Sequence, residues 1–335
     1  MIQNPLVSIL IPTYNRETLI GEAIESALNQ SYKNIELIIV DNNSEDKTAE
    51  VIKSYQQRDN RIKFFQNKKN IGPVLNWERC LEEASGIYSK ILWSDDLIRP
   101  EFLESTLALF AIEENLAFVF SKVLIGNDPS DISTPECYGY FEKTGIFNSS
   151  EFVSGTIADK VLPVSPGCAI FKTEVLRKSF IKTNELFENK YLQNGAGPDL
   201  LMFLMATTIH KKIGYVDSAL CFFRSHPSSI STIEGGSLFI FYKKAVIWFI
   251  YHQINKYLAV AYFLKIKNSL RREKNHKSSE SFEMKTNYLR INFWVSFYYL
   301  KISFLKSKFF KSLVRISCCW IPSREVRRKI RKNLL

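Results

Sequence analysis

From Val7 to about Lys122, short apolar runs alternate with segments of helical period. A strand, helix, strand unit repeats four times, which is the pattern a parallel α/β sheet requires. The runs Val7–Ile11, Ile35–Val40, Ile62–Phe65, Tyr88–Trp93 and Ala117–Val123 read as strands. Between the first two, Leu19, Ile20, Ala23, Ile24, Ala27 and Leu28 recur at helical spacing and mark one buried face. Further helices are predicted over Asp46–Gln57, Pro73–Ala84 and Pro100–Glu113, with Pro100 suited to a first helical turn. Residues 124 to 170 are richer in Gly, Pro, Ser and Asn and read as a loop-rich half that meets a variable partner. Helical pattern returns from Leu200 to His210, strand-like pieces follow at Ile213–Val216 and Ala219–Phe223, and Gly235-Gly236 marks a boundary.

In an open parallel sheet, ligands bind in the crevice beyond the carboxyl ends of the strands. Three such ends carry polar groups. The first strand runs into Pro12-Thr13-Tyr14-Asn15-Arg16, the second into Asp41-Asn42-Asn43-Ser44 and the fourth into Ser94-Asp95-Asp96. Neither a G-x-G-x-x-G turn nor a G-x-x-x-x-G-K-[ST] loop occurs, so backbone amides of those motifs do not handle phosphate here. Paired carboxylates are the usual alternative, because a hard divalent cation held by one or two Asp can bridge a diphosphate. Asp95-Asp96 would then hold Mg²⁺ or Mn²⁺, and Asp41 would accept bonds from a nucleoside. A structural alternative is that Asp95-Asp96 begins a helix, where Asp is favoured.

Four strings in register, VSILIPTYNR, VDNNSEDKT, NIGPVLNWERCLEEASGIYSKILWSDD and CFFRSHPSSIS, resemble the inverting family 2 glycosyltransferases of the GT-A fold. The resemblance spans the chain to about residue 235. It implies a Rossmann-like, mainly parallel sheet flanked by helices, and sugar transfer from a nucleotide diphosphate to an acceptor. Carried over residue by residue, it implies that Thr13, Tyr14, Asn15 and Asp41 cradle the base and ribose, with Tyr14 stacking on the base. Tyr14 could instead be an aromatic lid, and Asp41 a turn-former. Asp95 and Asp96 match the family's metal and diphosphate motif. Its common form has another Asp where this chain has Trp93, which implies metal ligation by Asp96, with Asp95 nearer the ribose or the sugar. Most members also carry Arg-Asn where this chain has Trp77-Glu78.

A transfer of this kind needs a general base for the acceptor hydroxyl, and a carboxylate is the expected choice. In the family an acidic residue opens the helix after the acceptor loop, and Asp199, after Asn194-Gly195-Ala196-Gly197-Pro198, fits that position. The same residue would also serve as a helix cap. Arg224-Ser225-His226 matches the family's R-x-H element near the diphosphate. His226 would bind the metal or the leaving phosphate and Arg224 would neutralise charge, whereas a lone His after a strand can be a turn residue.

Charge divides the chain. Residues 231 to 335 hold 22 Lys+Arg against 5 Asp+Glu, while residues 1 to 230 hold 23 against 29. The basic last third is rich in aromatic and aliphatic residues, and lysines interrupt every apolar run, so its helices suit an interface plane. The expected organisation is a catalytic domain over 1–235, with a nucleotide half to about 96 and an acceptor half from 97, followed by a basic amphipathic helical region over 236–335. That region would meet the anionic inner face of a membrane, or pack on the catalytic domain or on a second copy as a homo-oligomer. Nucleic acid is disfavoured as a partner, because the charge sits among bulky aliphatics and no recognised module occurs. The six cysteines lie scattered, without metal spacing, and the N-terminus lacks a basic leader, so a cytoplasmic setting is expected, with the basic region making the chain peripheral to the inner face of the membrane. The acceptor would be a glycan or a lipid-linked oligosaccharide, in O-antigen or capsule synthesis. The competing reading is a non-catalytic membrane- or nucleic-acid-binding protein on a transferase-like scaffold.

Overall fold

A computed structural model of the chain describes residues 4–131, 133–181, 195–235 and 238–274. It falls into two compact units, Met1–Phe249 and Ile250–Leu335.

The first unit is built on one ten-stranded sheet of order β3-β2-β1-β4-β9-β6-β10-β5, with β7 pairing β6 and β8 pairing β10. β1 (Val7–Thr13) and β2 (Ile35–Asp41) are buried at every position. Helices cover both faces of a parallel sheet, so its strands are continuous apolar runs without alternation. β2 pairs in parallel with β3 (Ile62–Gln66), and β1 pairs in parallel with β4 (Tyr88–Ile91). α1 (Ile20–Leu28) buries Ile20, Ala23, Ile24 and Ala27, one stripe at helical spacing. α2 (Thr48–Gln56) and α3 (Pro73–Glu83) follow, and α3 opens with Pro73 after Gly72 at φ 84°. These elements match the sequence-predicted ones to within two residues.

In the next stretch the structural alternative for Asp95-Asp96 fails, and so does the expected helix start at Pro100. Asp95 and Asp96 do not begin a helix: the Asp96 amide donates to the Trp93 carbonyl, and the chain passes into a short strand, β5 (Leu97–Ile98). Pro100 is not in a first helical turn either. α4 (Phe102–Ile112) begins two residues later, where the buried side chain of Gln30 accepts the Leu103 amide and donates to the Arg99 carbonyl. A residue 73 positions away fixes that helix start, which no local rule could show.

β6 (Leu116–Gly126) lies in the centre of the second half. The loop-rich stretch expected over 124 to 170 holds β7 (Glu136–Cys137), β8 (Gly145–Asn148), α5 (Ser149–Ile157) and β9 (Ala169–Lys172). α5 carries a capping box in which the Asn148 side chain and Glu151 satisfy each other's end of the helix. β9 inserts antiparallel between β4 and β6, so the two halves join through a reversed strand. α6 (Thr173–Ser179) and α7 (Pro198–Ile209) pack behind it. Phe118, Phe152, Phe171 and Phe203 meet there in tilted and edge-on contacts of 4.8–5.6 Å, an apolar core that aromatic quadrupoles favour.

The pieces expected at Ile213–Val216 and Ala219–Phe223 form one strand, β10 (Lys212–Arg224), parallel to β6. The polar break between them is a register shift at Val216/Ala219. There Asp217 accepts the Tyr215 hydroxyl and pairs with Lys122. α8 (Ile230–Glu234) and α9 (Leu238–Phe249) close the first unit.

In the second unit a π-helical turn, Ile250–Ile254, precedes α10 (Lys256–Lys274), where Ala259, Tyr262, Phe263 and Ile266 form one buried stripe. No described helix is long and apolar enough to cross a membrane. The remainder of the basic region, residues 275–335, lies outside the described residues.

Candidate active site

The carboxyl ends of β1 and β4, the residue after β2, the end of β10 and the start of α7 open onto a cleft of about 710 Å³. Thr13, the last residue of β1, lines it, and its Oγ1 is buried with no hydrogen-bond partner among the described residues. A buried hydroxyl left unpaired costs free energy that a bound polar group would recover. Tyr14 stands at the rim, 36% exposed.

Asp41 pairs in register with Thr13 but does not line the cleft. It is fully buried, and its carboxylate accepts the Ser44 hydroxyl at 2.5 Å and Gln66 Nε2 at 2.9 Å. Asn15, in the left-handed region at φ 49°, binds the loop after β2: its amide donates to Ser44 Oγ and its side chain accepts the Glu45 amide. Asn42 lines the cleft in their place. It is fixed by Asn67 and the Ile71 amide, which donate to its Oδ1, and it donates to Asn70.

Asp95 and Asp96 both line the cleft, in different surroundings. Asp95 Oδ2 takes His226 Nε2 at 2.9 Å and Arg16 Nε at 3.5 Å. Asp96 Oδ1 accepts the Arg224 amide at 2.9 Å. Burial pushes the Asp96 carboxyl well up from its ordinary range and the neighbouring Asp95 charge pushes it further, against the Arg224 amide and the buried Lys90. The Arg224 side chain donates to the Asp95 carbonyl and to Glu22. His226 faces Asp95, not Asp96, with Nδ1 on Ser228.

Asp199 sits in the first turn of α7, after Gly197 at φ 101°. Its Oδ1 accepts the amides of Gly197 at 2.8 Å and Leu200 at 2.7 Å, and its Oδ2 accepts the Tyr242 hydroxyl at 3.0 Å. Burial raises its pKa to about 7, opposed by those three bonds. It lines the same cleft as Asp96.

The two departures noted in the sequence, Trp77 and Trp93, touch each other with ring centroids 4.8 Å apart, and both line the cleft. Trp93 Nε1 donates to Ser165. Gly195 lies so close to Trp77 that an added Cβ would fall 2.2 Å from the ring. Asn42 lies in the polar strand end that the sequence placed at the crevice, although no role was given to it there; Ser165 and Tyr242 were missed as cleft residues, in stretches with no motif.

A cation fits this site in a limited sense. Among the described residues no three His, Cys, Asp or Glu converge as a ready cage. Asp95 and Asp96 are two adjacent oxygen donors, one of them hard to ionise beside the other, an arrangement that a hard cation completed by phosphate oxygens would relieve.

The family described as Glycosyl transferase family 2 matches residues 8–180. An uncharacterized glycosyltransferase of Haemophilus influenzae is 45% identical over 140 residues, 41% of this chain and 56% of that protein. The Campylobacter jejuni GalNAc(5)-diNAcBac-PP-undecaprenol beta-1,3-glucosyltransferase is 40% identical over 122 residues, 36% of this chain and 39% of that one. The chain thus spans about half the length of such relatives. The crystal structure of S. aureus TarS 1-349 in complex with UDP-GlcNAc covers 78% of this chain and 71% of its own, with TM-score 0.58 and 19% identity. At that identity the likeness concerns the fold, which is of GT-A type.

Proposed function

This chain belongs to glycosyl transferase family 2, and from that premise we propose that it moves a sugar from a nucleoside diphosphate donor to a hydroxyl of a glycan or lipid-linked acceptor, with inversion and with a divalent cation, Mn²⁺ or Mg²⁺. One observation carries the reading: Asp96 and Asp199, 103 positions apart in sequence, line one cleft. The names of the Campylobacter relative and of the TarS complex support an undecaprenol-linked acceptor and a uridine diphosphate donor. Synthesis of a cell-surface polysaccharide such as O-antigen or capsule is the setting this suggests.

In this mechanism Thr13 Oγ1, Asn42 and Tyr14 receive the nucleoside, with Asp41 and Asn15 holding the loops that present them. Asp96, with Asp95 beside it, would hold the cation, which when bound supplies positive charge to the diphosphate. The Arg224 amide fixes Asp96 and His226 fixes Asp95, and the Arg224 guanidinium adds positive charge near the leaving group. The acceptor oxygen attacks the anomeric carbon, the bond from that carbon to the diphosphate oxygen breaks with its electron pair leaving on the nucleotide, and Asp199 takes the acceptor proton. One displacement inverts the anomeric centre. A base with pKa about 7 is matched to neutral pH, so the rate should rise as pH climbs through that value.

The test uses two variants of the full chain. Asp199→Asn should keep the donor-induced rise in thermal stability and lose transfer by roughly 10²-fold or more. Asp96→Asn should lose both transfer and the part of that thermal rise that depends on Mn²⁺. Near-normal turnover in either variant sinks the role given to that residue.

A further inference from the structure

The carboxylate of Asp199 has about four lone-pair positions, and donors among the described residues take three of them. Both of those on Oδ1 take backbone amides, from Gly197 and Leu200, while Oδ2 accepts the Tyr242 hydroxyl. The second lone pair of Oδ2 takes no donor among the described residues and is left for an acceptor proton. Tyr242 comes from α9, which lies after the matched family residues and after the Gly235-Gly236 break, yet inside the first compact unit.

We propose that Tyr242 is a positioning residue for the base: by occupying one side of Asp199 Oδ2 it aims the remaining lone pair at the acceptor hydroxyl and sets the pH at which the base works. The proposal rests on the reading of Asp199 as the base. Among the described residues, the titratable groups that face Asp199 are Tyr242 on α9 and Tyr138 in the loop after β7, and neither is cationic. The adjacent Lys243 is paired with Asp159. The hydrogen bond from Tyr242 favours the charged carboxylate and opposes the burial that disfavours it. Removing the hydroxyl therefore moves the base toward its protonated form.

The experiment is the pH profile of kcat/KM for Tyr242→Phe, which keeps the ring in α9 and removes the donor. The acidic limb should move to higher pH by roughly one unit, the size expected for one hydrogen bond to a charged group. The donor KM should stay unchanged, and turnover should recover to within a few-fold on the alkaline side. A loss of folded protein that is equal at every pH lowers the whole profile without moving the limb, and circular dichroism over the same pH range checks that the folded fraction is constant. A lowered plateau with an unmoved limb would mean a structural role and overturn the proposal. Asp199→Asn run in parallel separates the two readings. If that variant turns over, the base assignment itself is wrong; if it is dead while the Tyr242→Phe limb stays in place, Tyr242 alone is misassigned.

Discussion

Glu36 lies near the start of β2, at the end of the sheet away from the cleft, and it is buried with a full set of donors. Ser8 Oγ at 2.5 Å, the Ser85 amide and hydroxyl, the Gly86 amide and Lys63 all bind it. Burial by itself would raise its pKa, but the bonds from Lys63, Ser8 and Ser85 outweigh that and hold it below the ordinary 4.5. A carboxylate lowered on folding contributes stability that is fully present above its unfolded pKa and is lost as pH falls through the lower folded value. Glu36→Gln should therefore flatten the fall in denaturation midpoint below about pH 4.5, and an unchanged acid limb would show that the network is not coupled to ionisation. Gly86 sits in the same knot, where an added Cβ would meet the Leu6 carbonyl and the Ser8 amide at 2.7 Å. Of these residues the sequence made none visible, because a buried Glu in an apolar strand carries no local signature of its partners. Asp95, Asp96 and Asp199 were legible because strand ends and helix starts are local features that a motif can mark.

At the scale of elements, the junction between β4 and the 3₁₀ turn Pro166–Cys168 shapes the cleft wall. Lys90, fully buried in β4, donates to the Ile91 carbonyl at 2.9 Å and to the Gly167 carbonyl, with its ammonium 4.7 Å from the Phe102 ring. Burial lowers its pKa, since an ammonium out of water is disfavoured. Trp93 reaches the same turn through Ser165, so strand and turn are held twice. Lys90→Met keeps the volume and removes the donor, and it should lower unfolding free energy by about 1–3 kcal/mol through the carbonyl left unpaired. Chemical denaturation measures this, and an unaltered midpoint would show that the ammonium's desolvation cancels its bonds. The strand, helix and strand order of the first half was readable because buried parallel strands and amphipathic helices differ in period. α5 was overlooked although Asn148 and Glu151 spell a capping box, since its short apolar stripe lies in a Gly- and Ser-rich stretch.

For the whole molecule, we propose from the charge division between residues 1–230 and 231–335 that the basic end attaches to an anionic membrane surface. Removing residues 250–335 should abolish co-sedimentation with anionic vesicles and leave neutral vesicles as poorly bound as before, while binding indifferent to lipid charge would remove the membrane reading. Within the first unit, the sequence alone determined the alternation of strand and helix and the polar strand ends, because periodicity and turn chemistry are imposed by the backbone within a few residues. Tertiary structure decided the rest. It placed β9 antiparallel between two halves, seated Trp77 on Trp93, gave Asp95 to His226 across 131 positions and brought Tyr242 to Asp199 from a helix beyond the matched region. Such partners are selected by the free energy of packing and of satisfying buried polar groups in three dimensions, a quantity that no window along the chain contains.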